Sequence, residues 1–398
     1  MVVRHHRPAR HGPVVLARSG KRRGVGMCGR GGGAPMIGTT VLTGADGYVG
    51  HKIAAGLLEH TDDRLILTVR ASSPSELSTK RARLQALLGP ALDRRTTIVP
   101  ADLREADPLG DLDTKGVTAV VHTAAVIRFN VERDLAQRTN VDGTARVCEF
   151  ALRCPDLRRL AIISTLYTAG KHQGRIAEAP LADAGFVNDY EWSKWAAEQH
   201  ALATCADLPL SILRLPTIIA DDLTGTVTQY NAFHNTVKLF FYGLLTVVPG
   251  AKDTPVSVVT AAFVAAAIAT LLDPRKPGGV FHVCPEHKNN ATVGELVDTA
   301  YTVLESDEGF RRRRILRPLY CDPESFKDLV EGAQALRKGP IKESLDSVSS
   351  FGEQLFLPKD FATDALYAAW PEPVVEDPLA LVTATVSHLV ATRWGRNS

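Results

Sequence analysis

The chain has 398 residues, room for one large domain or two modest ones, and its 45% hydrophobic and 23% charged side chains are those of an ordinary globular protein. The net charge of +2 is unevenly placed: residues 1–36 hold eight of the 46 basic side chains (Arg4, Arg7, Arg10, Arg18, Lys21, Arg22, Arg23, Arg30) and no acid, so the rest sets 38 basic against 44 acidic. That acidic body excludes general nucleic-acid binding, the six cysteines (Cys28, Cys148, Cys154, Cys205, Cys284, Cys321) lack any CxxC or Cys/His metal spacing, and no apolar run predicts a membrane span.

The Arg- and Gly-rich leader, residues 1–36, has no secretory h-region and cannot bury an apolar face, so disorder is expected there. Translation from Met27 or Met36 would explain it, since "MIGTTVLTGADG" is a natural beginning for a first strand; a transit peptide or a nucleic-acid-binding arm are the alternatives. Scattered cysteines fit reduced thiols in a cytoplasmic protein.

From residue 39 short β-branched runs alternate with amphipathic stretches. "TTVLTG" (39–44) leads into a helical "YVGHKIAAGLLEH", "RLILTVR" (64–70) into "SELSTKRARLQALLG", "TTIVPADL" (96–103) into a loop, and "AVVHTAA" (119–125) into "VDGTARVCEFALRC". "LAIIST" (160–165), a helix holding Tyr190 and Lys194, and "LSILRLPTII" (210–219) follow. This alternation predicts an α/β fold, a doubly wound parallel sheet of Rossmann type with helices on both faces. After residue 220 come a loop, a helix bearing Phe233, Phe240, Phe241 and Tyr242, a buried strand and helix in "TPVSVVTAAFVAAAIATLL", and helices with Pro-rich breaks over 292–398. The expected organisation is the leader (1–36), a dinucleotide-binding domain (37–220) and a smaller, mainly helical substrate-binding lobe (221–398), with 256–285 returning to the sheet.

"TGADGYVG" directly follows the first strand. Gly44 would allow a tight turn, Gly47 would admit a pyrophosphate against bare backbone, and Gly50 would let the helix pack closely, with the phosphates at the helix N-terminus. The second strand ends on Arg70, with no acid from Leu65 to Pro74, which suits a 2'-phosphate and favours NADP, with NAD as the alternative. Asp102 is placed to touch the adenine amine. Tyr190 and Lys194 stand one helical turn apart and share a face, as a packing stripe or as a phenol beside an ammonium.

The ordered set "TGADGYVG", "ADL", "HTAA", "NVDGT", "IST", Tyr190-x-x-x-Lys194 and "LRLPTII" resembles the extended short-chain dehydrogenase/reductase superfamily over roughly residues 37–285. "TVRASSPSELSTKRARLQALL", "HTAAVIRFN", "STLYTAG", "FVNDYEWSKWAAEQ" and "DDLTGTVTQYNAF" are most similar to its branch of thioester reductase domains and fatty acyl-CoA reductases. The resemblance implies that Tyr190 exchanges the proton, that Lys194 lowers its pKa and bonds the nicotinamide ribose, and that Thr165 holds the substrate carbonyl oxygen, with Ser164 in reserve. It also implies a cofactor shell of Gly44, Asp46, Gly47, Tyr48, Val49, Gly50, Arg70, Asp102, Leu103, Thr123, Ala124, Ala125, Asn140, Ser164, Tyr190, Lys194, Pro216, Thr217 and Ile218. Asn140 has a structural or a proton-relay role there, and His122 is a strand-end residue near the cofactor.

Ala262, in "VTAAFV", stands where relatives carry an acid, and no adenylation or carrier domain accompanies the motifs. The substrate is therefore expected as a separate small molecule or carrier-bound acyl group, met by a monomer or homodimer without nucleic acid or membrane. The expected reaction is NADPH-dependent hydride transfer to a carbonyl, foremost an acyl thioester on CoA or a carrier protein, giving aldehyde or alcohol in secondary metabolism. A nucleotide-sugar epimerase or dehydratase, a hydroxysteroid-type dehydrogenase and a non-catalytic NADP sensor are the alternatives.

Overall fold

In this computed structural model the described residues are 38–89, 92–334, 342, 348, 349 and 351–395, so the expectations for the leader lie outside them. Seven runs rich in Val, Ile, Leu and Thr pair in one parallel sheet: β1 (Thr39–Thr43), β2 (Arg64–Val69), β3 (Thr96–Pro100), β4 (Val117–His122), β5 (Arg159–Thr165), β6 (Leu210–Leu215) and β7 (Gly279–His282). Their order across the sheet is β3-β2-β1-β4-β5-β6-β7. The chain runs outward from β1 to β3 and then crosses back to β4. This reversal opens a crevice at the carboxyl ends of β1 and β4, where ligands bind in such sheets.

Period-two alternation sends neighbouring residues to opposite faces. Leu42, Val121, Ala161, Leu213 and Phe281 pack with helices α1 (Tyr48–His60), α2 (Pro74–Leu88) and α6 (Ala261–Leu271). Val41, Val120, Ile162, Ile212 and Val280 pack with α3 (Asp142–Leu152) and α4 (Asp189–Thr204) on the other face. Both faces are thus covered, which is what makes the strands nearly continuous in hydrophobic residues.

A third core, built around α5 (Ala232–Tyr242), α7 (Val293–Leu304) and α8 (Pro378–Ala391), forms the lobe above the carboxyl ends. The run read as one strand, 210–219, is broken at Pro216, which has no N–H to give to a ladder. Leu210–Leu215 stays in the sheet, while Thr217–Ala220 pairs with Val258–Thr260 in the lobe. The stretch from Val258 folds as that short strand followed by α6. No described helix is long and apolar enough to cross a membrane. At the Ala262 turn a carboxylate arrives from elsewhere: Glu376, buried, accepts from the Thr260 N–H at 2.9 Å and its hydroxyl at 2.5 Å.

Candidate active site

The turn after β1 is shaped by three glycines. Gly44 has a φ of 71°, and a Cβ there would lie 2.7 Å from the backbone of Ala124; a Cβ on Gly50 would meet the Gly44 carbonyl at 2.2 Å. Only glycine fits such a turn. The Gly47 N–H donates to the Gly44 carbonyl at 3.0 Å, and Thr123 braces the same turn by donating to the Thr43 carbonyl at 2.6 Å. Helix α1 then starts with no capping side chain and no acid in its first turn. Its N–H groups and dipole make an anion site on bare backbone, which fits a pyrophosphate.

Asp46, in the turn, pairs with Lys80 of α2 at 2.9 Å, and Lys80 also donates to the Arg70 carbonyl. Arg70 is exposed at the end of β2, with no hydrogen bond or ion pair from its guanidinium among the described residues. Asp102 is gripped by the Arg104 side chain, which holds its carboxyl down at about 2. Leu103 is buried against Gly143.

Tyr190 and Lys194 lie in the first two turns of α4, whose N-cap Asn188 accepts from the Glu191 N–H. The Tyr190 phenol hydrogen-bonds Thr165, at the end of β5. Burial raises the phenol pKa, and the Thr165 bond is the influence that pulls it down. Lys194 aims its ammonium at the Ile163 carbonyl, 2.8 Å away, and burial lowers it to about 8 against the opposing field of Glu198.

Sequence reasoning gave no role to the groups that hold this trio. Phe129 sets its ring edge-on to Tyr190 and Tyr167, at centroid separations of 5.5 and 5.2 Å. Ser164 donates at 2.5 Å to the buried Glu198, itself paired with Arg214 at 2.7 Å. Arg214 donates to His282 at 3.2 Å, and His282 donates through its other nitrogen to the Ala362 carbonyl. Glu191 is buried next to Tyr190, pushed up to about 7 by burial, and accepts two N–H···O contacts from Gln354, at 3.0 and 2.9 Å. Tyr48 donates to Asp221 at 2.5 Å. Phe129, Tyr167, Glu191, Glu198 and Arg214 lie inside the quoted motifs, but the pairings themselves join distant parts of the chain and carried no local signal.

Asn140 is buried, clamps both backbone groups of Val126 at 2.8 and 3.0 Å and donates to Ser193 at 2.9 Å, an engagement that suits a structural part. His122 bridges the hydroxyls of Thr43 and Thr144, and burial pushes it down to about 3.

A cavity of about 400 Å³ joins these groups. Its wall takes in Gly47, Tyr48, Val49, Gly50, Thr123, Ala125, Ser164, Thr165, Tyr190, Lys194, Pro216, Thr217 and Ile218. Gly44, Asp46, Arg70, Asp102, Leu103, Ala124 and Asn140 stand outside that wall. Lys194 is its one charged side chain among the described residues, and from the trio it continues deep into the lobe.

A family model described as male sterility protein, an NAD-binding family, matches residues 42–268. The isonitrile lipopeptide synthase of Streptomyces coeruleorubidus is 33% identical over 221 residues, 50% of this chain and 15% of that protein. The probable fatty acyl-CoA reductase 5 of Arabidopsis thaliana is 29% identical over 168 residues, 36% of this chain and 34% of that protein. The chain thus spans a minor part of both. The terminal R domain from the myxalamid PKS-NRPS biosynthetic pathway shares the fold, with a TM-score of 0.70 and 21% identity over 90% of this chain and 92% of that one.

Proposed function

The chain belongs to the male sterility protein family, the thioester reductase branch of the extended short-chain dehydrogenases/reductases, and on that premise we propose that it reduces acyl thioesters with NADPH, releasing an aldehyde and a thiol. The observation that carries this reading is the hydrogen bond between Thr165 and Tyr190 in the wall of a cavity shared with the anion-binding glycine turn. A dinucleotide held there would supply the hydride for the carbonyl carbon. Thr165 and Tyr190 together receive the carbonyl oxygen, and Tyr190 neutralises the developing oxyanion with its phenolic proton. Collapse of the resulting hemithioacetal breaks the C–S bond; a second reduction would yield the alcohol. Lys194 would bond the nicotinamide ribose, the glycine turn would hold the pyrophosphate, and Arg70 would pair with the 2'-phosphate. CoA or a carrier protein presents the acyl group.

The alternative of a nucleotide sugar finds less support, because in the lobe part of the wall no described residue is a cation that could pair with a second diphosphate. Loss of NADPH absorbance with a panel of acyl-CoAs, carrier thioesters, aldehydes and ketones tests the proposal. Thioester turnover in the parent, falling about a hundredfold or more in Tyr190→Phe, is the expected result. Turnover of ketones but of no thioester, or full activity in the variant, refutes it.

A further inference from the structure

Behind the cavity wall lies an ion pair that no step of the reduction uses. Glu198 stands one turn beyond Lys194 on α4 and receives the Arg214 guanidinium three times: Nε lies 3.1 Å from each carboxylate oxygen and Nη2 lies 2.7 Å from one of them. Both side chains are buried. Desolvation offsets most of the attraction in such a pair, so it adds little to stability; what it provides is a fixed charge.

Two groups of the cavity wall meet that charge. Ser164 donates to Glu198 at 2.5 Å. A carboxylate has no hydrogen to give, so the hydroxyl must spend its only one there, and toward the cavity it offers lone pairs alone. Lys194 donates one N–H to the Ile163 carbonyl at 2.8 Å, and burial works against its charge. The field of Glu198 opposes that burial. The other titratable groups around the ammonium do not supply a negative charge. Burial holds Tyr190, on the same helix, and His122, at the end of β4, in their neutral forms, and Arg214 on β6 is a paired cation. Glu191 is bonded to Gln354, and Asp142, from α3, is taken by Gln137 at 2.6 Å.

We infer that Glu198 is a positioning residue for the dinucleotide. It makes the Ser164 hydroxyl an acceptor for a donor on the nicotinamide half, and it supplies the charge that keeps Lys194 an ammonium for the ribose. The inference rests on the assignment of Lys194 to that ribose and goes beyond it.

The test is NADPH binding to the full chain, titrated from pH 6 to 9.5, beside binding of 2',5'-ADP, which keeps the adenosine half and lacks the nicotinamide half. In Glu198→Gln the pH at which NADPH affinity begins to fall should lie about one unit or more below that of the parent, the scale for losing a nearby opposite charge. Glu198→Met combined with Arg214→Met leaves no unpaired buried charge and should show the same displacement. Ser164→Ala should keep the parent's break and bind NADPH about two- to tenfold more weakly at every pH, as for one lost hydrogen bond. All three proteins should bind 2',5'-ADP as tightly as the parent. A break that stays in place in both Glu198 proteins, full NADPH affinity in Ser164→Ala, or loss of 2',5'-ADP affinity together with NADPH affinity would overturn the inference. Because binding is read without turnover, failure to reduce any thioester would refute the proposed reaction and leave this inference intact.

Discussion

Tyr48, in the first turn of the dinucleotide helix, donates its phenolic hydrogen to Asp221, at the start of the loop that leads to α5. Burial opposes the charge on Asp221, yet this bond, two contacts from Thr228 at 2.9 and 2.8 Å and Lys52 at 3.3 Å hold its carboxyl below the usual range. The contact ties the glycine turn to the C-terminal lobe. Tyr48→Phe keeps the ring and deletes the bond, so urea unfolding should show a loss of about 1–3 kcal/mol, the scale for a hydrogen bond to a buried charge. An unchanged midpoint would make the contact incidental.

Arg70 should confer preference for NADPH over NADH by about ten- to a hundredfold, through charge-assisted bonds to the 2'-phosphate. Arg104 already occupies Asp102, which leaves Arg70 available for that anion. In Arg70→Ala titrations with the two cofactors should converge. Equal affinities in the parent would remove Arg70 from the site.

Lys194 is depressed to about 8 in the free protein, chiefly by burial, so it is cationic below that pH and neutral above it. If the ammonium bonds the ribose, the NADPH dissociation constant should be flat at lower pH and climb about tenfold per unit above pH 8. Lys194→Met should bind weakly and lose this dependence. A parent profile that stays flat to pH 9.5 would contradict the assignment.

Glu191 gives a stability prediction of definite sign. Its folded pKa is raised from 4.5 to about 7, so the native state holds the proton more tightly, and stability falls as pH rises through that window. Lys359, lowered from 10.5 to about 8, acts only above pH 8, where it has the opposite slope. Between pH 5 and 7.5 the parent should lose up to about 3 kcal/mol more than Glu191→Gln, read from urea midpoints at the two pH values. Parallel losses would show that another group titrates.

The Rossmann half was legible because its signals are local. β1 reads from "TTVLT" and the phosphate turn from three spaced glycines, and one period-two rule sends Val41 and Leu42 to opposite cores. Pro216 shortened one strand for an equally local reason. The partners that hold the trio were not legible, since Ser164–Glu198, Arg214–His282 and Glu191–Gln354 join residues 34, 68 and 163 apart with no repeating pattern. The apolar cavity in the lobe was hidden for a different reason. Val248, Leu296 and Ala300 look in sequence like any core residues, and only their arrangement leaves space between them.

The outermost strand β7 is also the last of the sheet to be synthesised, and β5 depends on the segment before it. Arg159 opens β5 as a buried cation whose terminal nitrogens donate to Ser211 at 3.0 Å and to the carbonyls of Asp273 and Lys276 at 2.9 and 2.6 Å, while its Nε has no partner among the described residues. A ribosome that has delivered β6 has therefore released a sheet one strand short, with the Arg159 guanidinium bonded to Ser211 alone, and must add some sixty residues before the Asp273 and Lys276 carbonyls and β7 arrive. The order of the elements thus leaves β6 uncovered until late in synthesis, and chains truncated between β6 and β7 should aggregate rather than form a smaller working domain.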